Sequence, residues 1–325
     1  MKHTPQDDSV EPRALLCLLT TIVLWAVNPL FMKYFTRYYD VWTQNAFRYS
    51  CAATGLLAFS VATNRRGLSL SREQWGKLCL VAAPNVFMQI SFAGMYYFIY
   101  PSVASLVGRI NIFIVGFLSF LLFRDERRVI RARGFLAGSA LSLAGVVVVV
   151  LAQDPATLER LEVSQRTFWI GIAVVVANAF FGALYMLAIK HLVRDVDPVV
   201  SFTHVSWMTA LALIGLMAAV GRPSDLWRQP ATPLLFMVLT AVGSILIAHT
   251  TYYAALRHIK AVITVSLMQL IPVGTCAVSA FWYGDRLSPL QIGGGCAVLG
   301  GAWLAAVTQA RLDRRDRALL RERGL

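Results

Sequence analysis

The sequence predicts an all-α membrane protein: ten transmembrane helices arranged as two inverted five-helix repeats. Three observations carry this reading. Ten apolar runs of about 20 residues follow one another, separated by short polar joints. Lysine and arginine crowd alternate joints in step with that map. The second half partly repeats the first at a shift of about 157 to 159 positions.

The apolar runs come first because composition demands them. The chain has 325 residues, 57% hydrophobic and only 14% charged. A soluble fold cannot hide that much apolar surface, because its buried fraction grows slowly with length. The runs lie near 14–33, 41–62, 75–98, 102–123, 133–152, 168–190, 199–220, 233–256, 261–283 and 288–308. A β-barrel is excluded, since barrel strands alternate over about ten residues and are not continuously apolar. The layout is a cytoplasmic segment 1–13, a first repeat 14–152, a connecting loop 153–167, a second repeat 168–309 and a basic cytoplasmic tail 310–325. The first apolar run has no small-residue cleavage site and reads as a helix of the mature protein.

Charge then orients the map. With the N-terminus in the cytoplasm, about 21 of the 30 lysines and arginines fall on the cytoplasmic side and about 7 opposite. Both termini are therefore expected in the cytoplasm, with the chain in the inner membrane. The net charge of +13 is read as orientation signal, with lipid head groups as partners of the tail. No RNP motif or zinc-finger spacing is present, so nucleic acid is not an expected partner. Cys17, Cys51, Cys79, Cys276 and Cys296 sit in apolar runs without a CxxC pair. They read as small packing residues, and neither metal nor cofactor is expected.

The repeat comes last. Phe31-Met32-Lys33 falls on Ala188-Ile189-Lys190, Asp40 on Asp197, Tyr96-Tyr97 near Tyr252-Tyr253, Glu126-Arg127 on Asp285-Arg286 and Gly134 on Gly293. Five helices per half is an odd number, so the halves enter the membrane from opposite sides. Such a pair can expose a central site alternately to each side.

The motifs resemble the drug/metabolite transporter superfamily, EamA type. Trp25-Ala-Val-Asn28-Pro29-Leu-Phe-Met-Lys33 is similar to its opening motif, and Phe47-Arg48-Tyr49 to its second-helix entry. Arg124-Asp125-Glu126-Arg127 and Gly284-Asp285-Arg286-Leu287 resemble its closures of helices four and nine. The resemblance implies ten helices, a cytoplasmic-membrane location and export or exchange of small metabolites. Ile271 stands before Pro272 where the family often has Glu, and Phe113 stands at the matching place in helix four. Coupling rules that depend on that Glu do not carry over.

No Asp or Glu lies deep within a span. An intramembrane carboxylate is the usual grip for a cation or a proton, so a cation exporter is disfavoured. Arg48 and Arg109 instead lie about seven residues into helices two and four, roughly 10 Å below one surface. A guanidinium at that depth either grips an anionic or zwitterionic metabolite or snorkels to fix packing. Asn28, Gln89, Asn111 and Gln269 are candidate lining amides, with Trp25 and Tyr185 as aromatic wall. Asn85 and Asn178 read as interhelical bonds. His204 and His249 are candidate proton relays, set against a bland hydrogen-bonded role. Pro29 and Pro272 are candidate hinges. Gly134, Gly138, Gly293, Gly294, Gly295, Gly300 and Gly301 give small faces for packing within the chain or in a homodimer.

The leading expectation is thus a secondary transporter of amino acids or related compounds. The alternatives are a sensor or scaffold, or a membrane enzyme. No HExxH, GxSxG or P-loop motif supports the enzyme or an ATP-driven pump.

Overall fold

The computed structural model describes residues 12–63, 70–123, 127–153, 155–192, 197–259 and 261–322. Among them the structure is helical, with no strand. The tail residues 323–325 and the Arg124 to Glu126 cluster lie outside the described residues.

The first half holds α1 (Pro12–Phe35), α2 (Val41–Ala62), α3 (Arg72–Gly94), α4 (Pro101–Val107), α5 (Asn111–Leu122), α6 (Arg127–Ile130) and α7 (Arg133–Leu151). A short α8 (Pro155–Arg160) sits in the connecting loop. The second half holds α9 (Gln165–Leu192), α10 (Pro198–Val220), α11 (Asp225–Arg228), α12 (Ala231–Thr240), α13 (Ala248–His258), α14 (Ala261–Met268), α15 (Leu270–Tyr283) and α16 (Pro289–Glu322).

The starts and stops follow local chemistry. Asp40 caps α2 through the backbone N–H groups of Trp42 and Thr43. Asp197 caps α10 in the same way, and Ser71 with Gln74 forms a capping box at α3. Gly284 ends α15 at a φ of 66°, a left-handed position that suits glycine. The helix α16 runs past the expected span end at 308 to Glu322. Its extension is rich in Arg, Leu and Ala and contains no Gly or Pro, so nothing in it stops a helix.

Among the described residues, eight helical stretches are long and apolar enough to cross a membrane. The second and ninth expected spans are not among them. Helix α2 is less apolar because Gln44, Asn45 and Arg48 occupy its first two turns. The ninth is cut at Gln269 into α14 and α15, of 8 and 14 residues. The fourth is also interrupted, by a 3₁₀ turn at Gly108–Ile110 between α4 and α5. A shift of 159 carries that turn onto 267–269, so both halves break at the matching place.

The halves pack in a reciprocal pattern. Helix α2 runs antiparallel to its mate α10: Arg222 N donates to Thr43 Oγ1 (3.1 Å) near one end, and Ser60 Oγ meets Thr203 Oγ1 (3.0 Å) near the other. Helix α7 runs antiparallel to its mate α16, with Gly138 against Gly301 and Gly145 against Gly294. In the cross pairs, α1 is antiparallel to α13 (Thr21 Oγ1 to Ala248 O, 3.1 Å) and parallel to α15 (Thr275 Oγ1 to Ala26 O, 2.8 Å; Tyr283 OH to Leu30 O, 2.8 Å). Their mates do the same. Helix α9 is antiparallel to α3 (Asn178 Nδ2 to Met88 O, 2.7 Å) and parallel to α5 (Asn111 Nδ2 to Ala179 O, 2.7 Å). A twofold axis lying across the helices produces this pattern.

The glycine seam brings backbone against backbone. A Cβ on Gly138 would sit 2.6 Å from Gly301 O, and one on Gly145 2.6 Å from Gly294 O. A shift of 156 carries Gly138 and Gly145 onto Gly294 and Gly301. The small faces are therefore used within the chain, and Gly293 and Gly300 point into open space.

Candidate functional site

The helices enclose a central cavity of about 370 Å³. It lies where α1, α3, the α4–α5 break, α9, the π-helical turn Ala241–Ile247 and the start of α15 converge. Interruptions of this kind leave backbone groups outside the regular ladder, and they are sustained in a membrane where they face protein or a water-filled space.

Of the residues singled out in sequence, Trp25, Asn28, Pro29, Arg48, Gln89, Arg109, Asn111, His249 and Pro272 line this cavity. Three do not. Tyr185 packs against the cluster of Leu78, Val81 and Val205. His204 places Nδ1 2.8 Å from Val200 O and its ring edge-on to Trp75. Gln269 sits at the α14–α15 break with Oε1 buried and without a hydrogen-bond partner among the described residues. Sequence reasoning missed Met88, Ser105, Ser244 and Thr275 in the wall, since small or apolar residues inside an apolar run give no signal.

The two arginines differ. Arg48 is 3% exposed and is satisfied by protein. Its Nη2 donates to Asn28 Oδ1 (2.9 Å), Nε to Thr240 Oγ1 (3.2 Å) and Nη1 to Met32 Sδ (2.9 Å). Arg109 is partly accessible from the cavity, and its one hydrogen bond among the described residues is a long contact of Nη2 with Met268 O (3.4 Å). Met268 is the residue that a shift of 159 carries Arg109 onto, so the side chain reaches from one helix break to the other. Among the described residues no acidic side chain is present in the lining, and Ile271 faces the cavity.

Aromatic groups form much of the wall. Trp25 donates from Nε1 to Ser244 O (3.0 Å) and packs edge-on to His249. His249 Nδ1 lies 2.9 Å from Ile245 O and its ring stacks on Phe202. Tyr49, Phe92 and Tyr96 complete an aromatic lining around the guanidinium groups. Among the described residues no three His, Cys, Asp or Glu side chains come together as a metal site.

The two ends of the bundle are built differently. Away from the chain termini, α1, α2, α3, α4 and α15 are tied by polar bonds. Lys33 Nζ donates to Tyr96 O (2.9 Å) and lies 4.2 Å over the Tyr100 ring. Gln44 Nε2 donates to Tyr97 OH (2.7 Å), which donates to Tyr39 O (2.6 Å). Asp285 accepts from Ser102 N (2.9 Å) and Ser279 Oγ (2.8 Å). One large core, including Phe35, Tyr96, Ile99 and Val107, fills this end. Toward the termini the core divides, with Leu18 and Ala255 in one cluster and Leu78 and Val205 in another.

Nineteen chains of solved structures match this fold. One, described only as a crystal structure of a protein, aligns with a TM-score of 0.64 at 18% identity, over 92% of this chain and 98% of its own. No curated protein matches. Two segments of the sequence, residues 12–151 and 169–307, each match the EamA-like transporter family. Together they span most of the multi-pass helical chain, which belongs to that family of membrane transporters.

Proposed function

We propose that the chain is a secondary transporter that moves small anionic or zwitterionic metabolites across the cytoplasmic membrane by alternating access, with ten spans and both termini in the cytoplasm. Arg109 carries this reading. A guanidinium turned to a mid-bundle cavity, with one long bond to a carbonyl, is a donor fork awaiting an acceptor. The acid-free lining removes the counter-ion that a cationic solute would need. Trp25, Tyr49, Phe92 and Tyr96 offer apolar contact to the body of the solute.

Arg48, by contrast, holds α1, α2 and α12 together and shapes the cavity wall. Asn28, Gln89 and Asn111 supply polar contacts beside it. Pro29 and Pro272 set the bends. The sealed end away from the termini fits a state that is closed on the non-cytoplasmic side. The opposing halves give the means to exchange it for the mirror state. Export or exchange is the direction that the family resemblance favours.

The test is a series built on one ring: phenylacetate, phenylalanine and phenethylamine. Ligand binding raises the melting temperature of purified protein by mass action. Phenylacetate and phenylalanine are expected to stabilise, and phenethylamine is not. Arg109→Ala is expected to weaken phenylacetate binding at least about tenfold, near 1.4 kcal/mol, while the unliganded melting temperature is kept. Selective stabilisation by the amine, or normal binding in Arg109→Ala, would reject the anion-carrier reading.

A further inference from the structure

A second hollow, of about 120 Å³, lies between α5, α6, α7, α9 and α16. Asn111 and Ile112 line both this hollow and the central cavity. From there its wall follows one face of α5: Ile112, Val115, Gly116 and Ser119, spaced i, i+3, i+4, i+7. The hollow thus extends about 10 Å along the helix at 1.5 Å per residue, toward the end where the chain termini lie. Lys190 of α9 and Gln309 of α16 stand at that end of it.

One polar group marks it as more than a packing gap. Ser119 is 2% exposed, yet its hydroxyl has no hydrogen-bond partner among the described residues. A helical serine normally turns back to the carbonyl four residues earlier. Ser50 and Ser91 do so here, at 2.7 Å each, whereas Ser119, Ser139, Ser142, Ser201 and Ser206 have buried hydroxyls without a partner among the described residues, and of these five only Ser119 lines the hollow. Ser119 instead sits in the wall of the hollow, and a buried hydroxyl left unmatched is costly unless something enters to meet it. Gly116 shapes the wall beside it. A Cβ there would sit 2.6 Å from the Phe135 ring, so glycine lets the ring pack closely against α5 at the edge of the space.

We propose that this hollow is a second binding station for the anionic group of the transported solute, between the central cavity and the termini end of the bundle. It deepens the carrier reading above and rests on it. Lys190 supplies the charge at the rim and Ser119 the buried donor. Asn111, which bonds across to Ala179 O, stands between this station and Arg109. Two cationic groups in series keep an anion paired along its path, and two weaker stations release it faster than one tight site.

Uptake of labelled phenylacetate into vesicles holding the purified full chain tests this, alongside equilibrium binding of the same compound. Lys190→Gln and Ser119→Ala are expected to cut uptake at least fivefold, while binding at the central site, read as the part of phenylacetate binding that Arg109→Ala removes, changes less than twofold. Lys190→Arg is expected to restore uptake. Normal uptake in both variants, loss of the Arg109-dependent binding in step with uptake, or failure of Lys190→Arg to rescue would overturn the station and leave the carrier reading standing. No uptake by the unaltered protein would overturn the carrier reading, and the station with it.

Discussion

The α7–α16 seam and the α4–α5/α14–α15 pair are both contacts between mated helices, and they are built on opposite rules. In the seam, glycines at equivalent positions bring backbone against backbone, with Gly138 to Gly301 and Gly145 to Gly294. Both helices run unbroken through it. In the other pair each helix breaks, at Gly108–Ile110 and at Gln269, and Arg109 spans the gap to Met268 O. Without a hydrophobic drive between helices in lipid, close packing and interhelical bonds hold the bundle. The seam therefore serves as the fixed frame, and the broken helices supply the groups that a solute can meet.

The largest expected effect breaks the frame. In Gly138→Leu the new Cβ would lie 2.6 Å from both Gly301 O and Ala305 N. Both are backbone atoms of α16, so no side chain can swing aside, and the helices must separate. Overpacking of this kind costs about 3 kcal/mol or more at the severe end. The folded, monodisperse fraction in detergent, measured by size-exclusion chromatography, is expected to collapse. Survival of that fraction at the normal melting temperature would show that the seam is not the frame.

A smaller effect separates the two arginines. Arg48→Ala leaves Asn28 Oδ1 without its guanidinium donor in a buried site. An unmatched buried acceptor costs about 1–3 kcal/mol, so the melting temperature is expected to fall by several degrees. Phenylacetate binding is expected to stay within a few-fold. Arg109→Ala is expected to do the reverse. If Arg48→Ala loses binding at an unchanged melting temperature, the assignment of Arg48 to the frame and Arg109 to the site is wrong.

The sequence made depth legible and azimuth less so. A charged or amide residue in an apolar run has to face protein or water, and that rule alone brought Asn28, Arg48, Arg109 and Asn111 to the cavity. It failed where a neighbouring helix closes the space. Tyr185 lies seven residues past Asn178 on one stripe of α9, but at its level α3 and α10 fill the gap with Leu78 and Val205. His204 lies one residue from the mate of Arg48, and one residue is about 100° on a helix, enough to turn it onto Trp75. Gln269 is a candidate lining amide three residues before Pro272, but it sits at the break between α14 and α15, and Pro272 lines the cavity while Gln269 does not. The breaks themselves had weak signals. Gly108 marks one and Pro272 follows the other, but neither residue type alone ends a membrane helix.

The smallest expected effect is also the sharpest test of the seam, because it compares two adjacent glycines of one helix. A Cβ on Gly301 would lie 2.4 Å from both Gly138 O and Ser142 N, whereas one on Gly300 meets nothing within 4 Å. In water, Gly→Ala in a helix gains up to about 1 kcal/mol of propensity. In a membrane the unfolded reference keeps its helices, so most of that gain disappears. Gly300→Ala is therefore expected to change stability by less than about 0.5 kcal/mol, the ordinary range for a substitution that touches nothing. Gly301→Ala is expected to lower the melting temperature clearly in the same assay. Equal behaviour of the two variants would mean that α16 can roll or slide to absorb a methyl group, and a helix that free could not be the fixed half of the comparison.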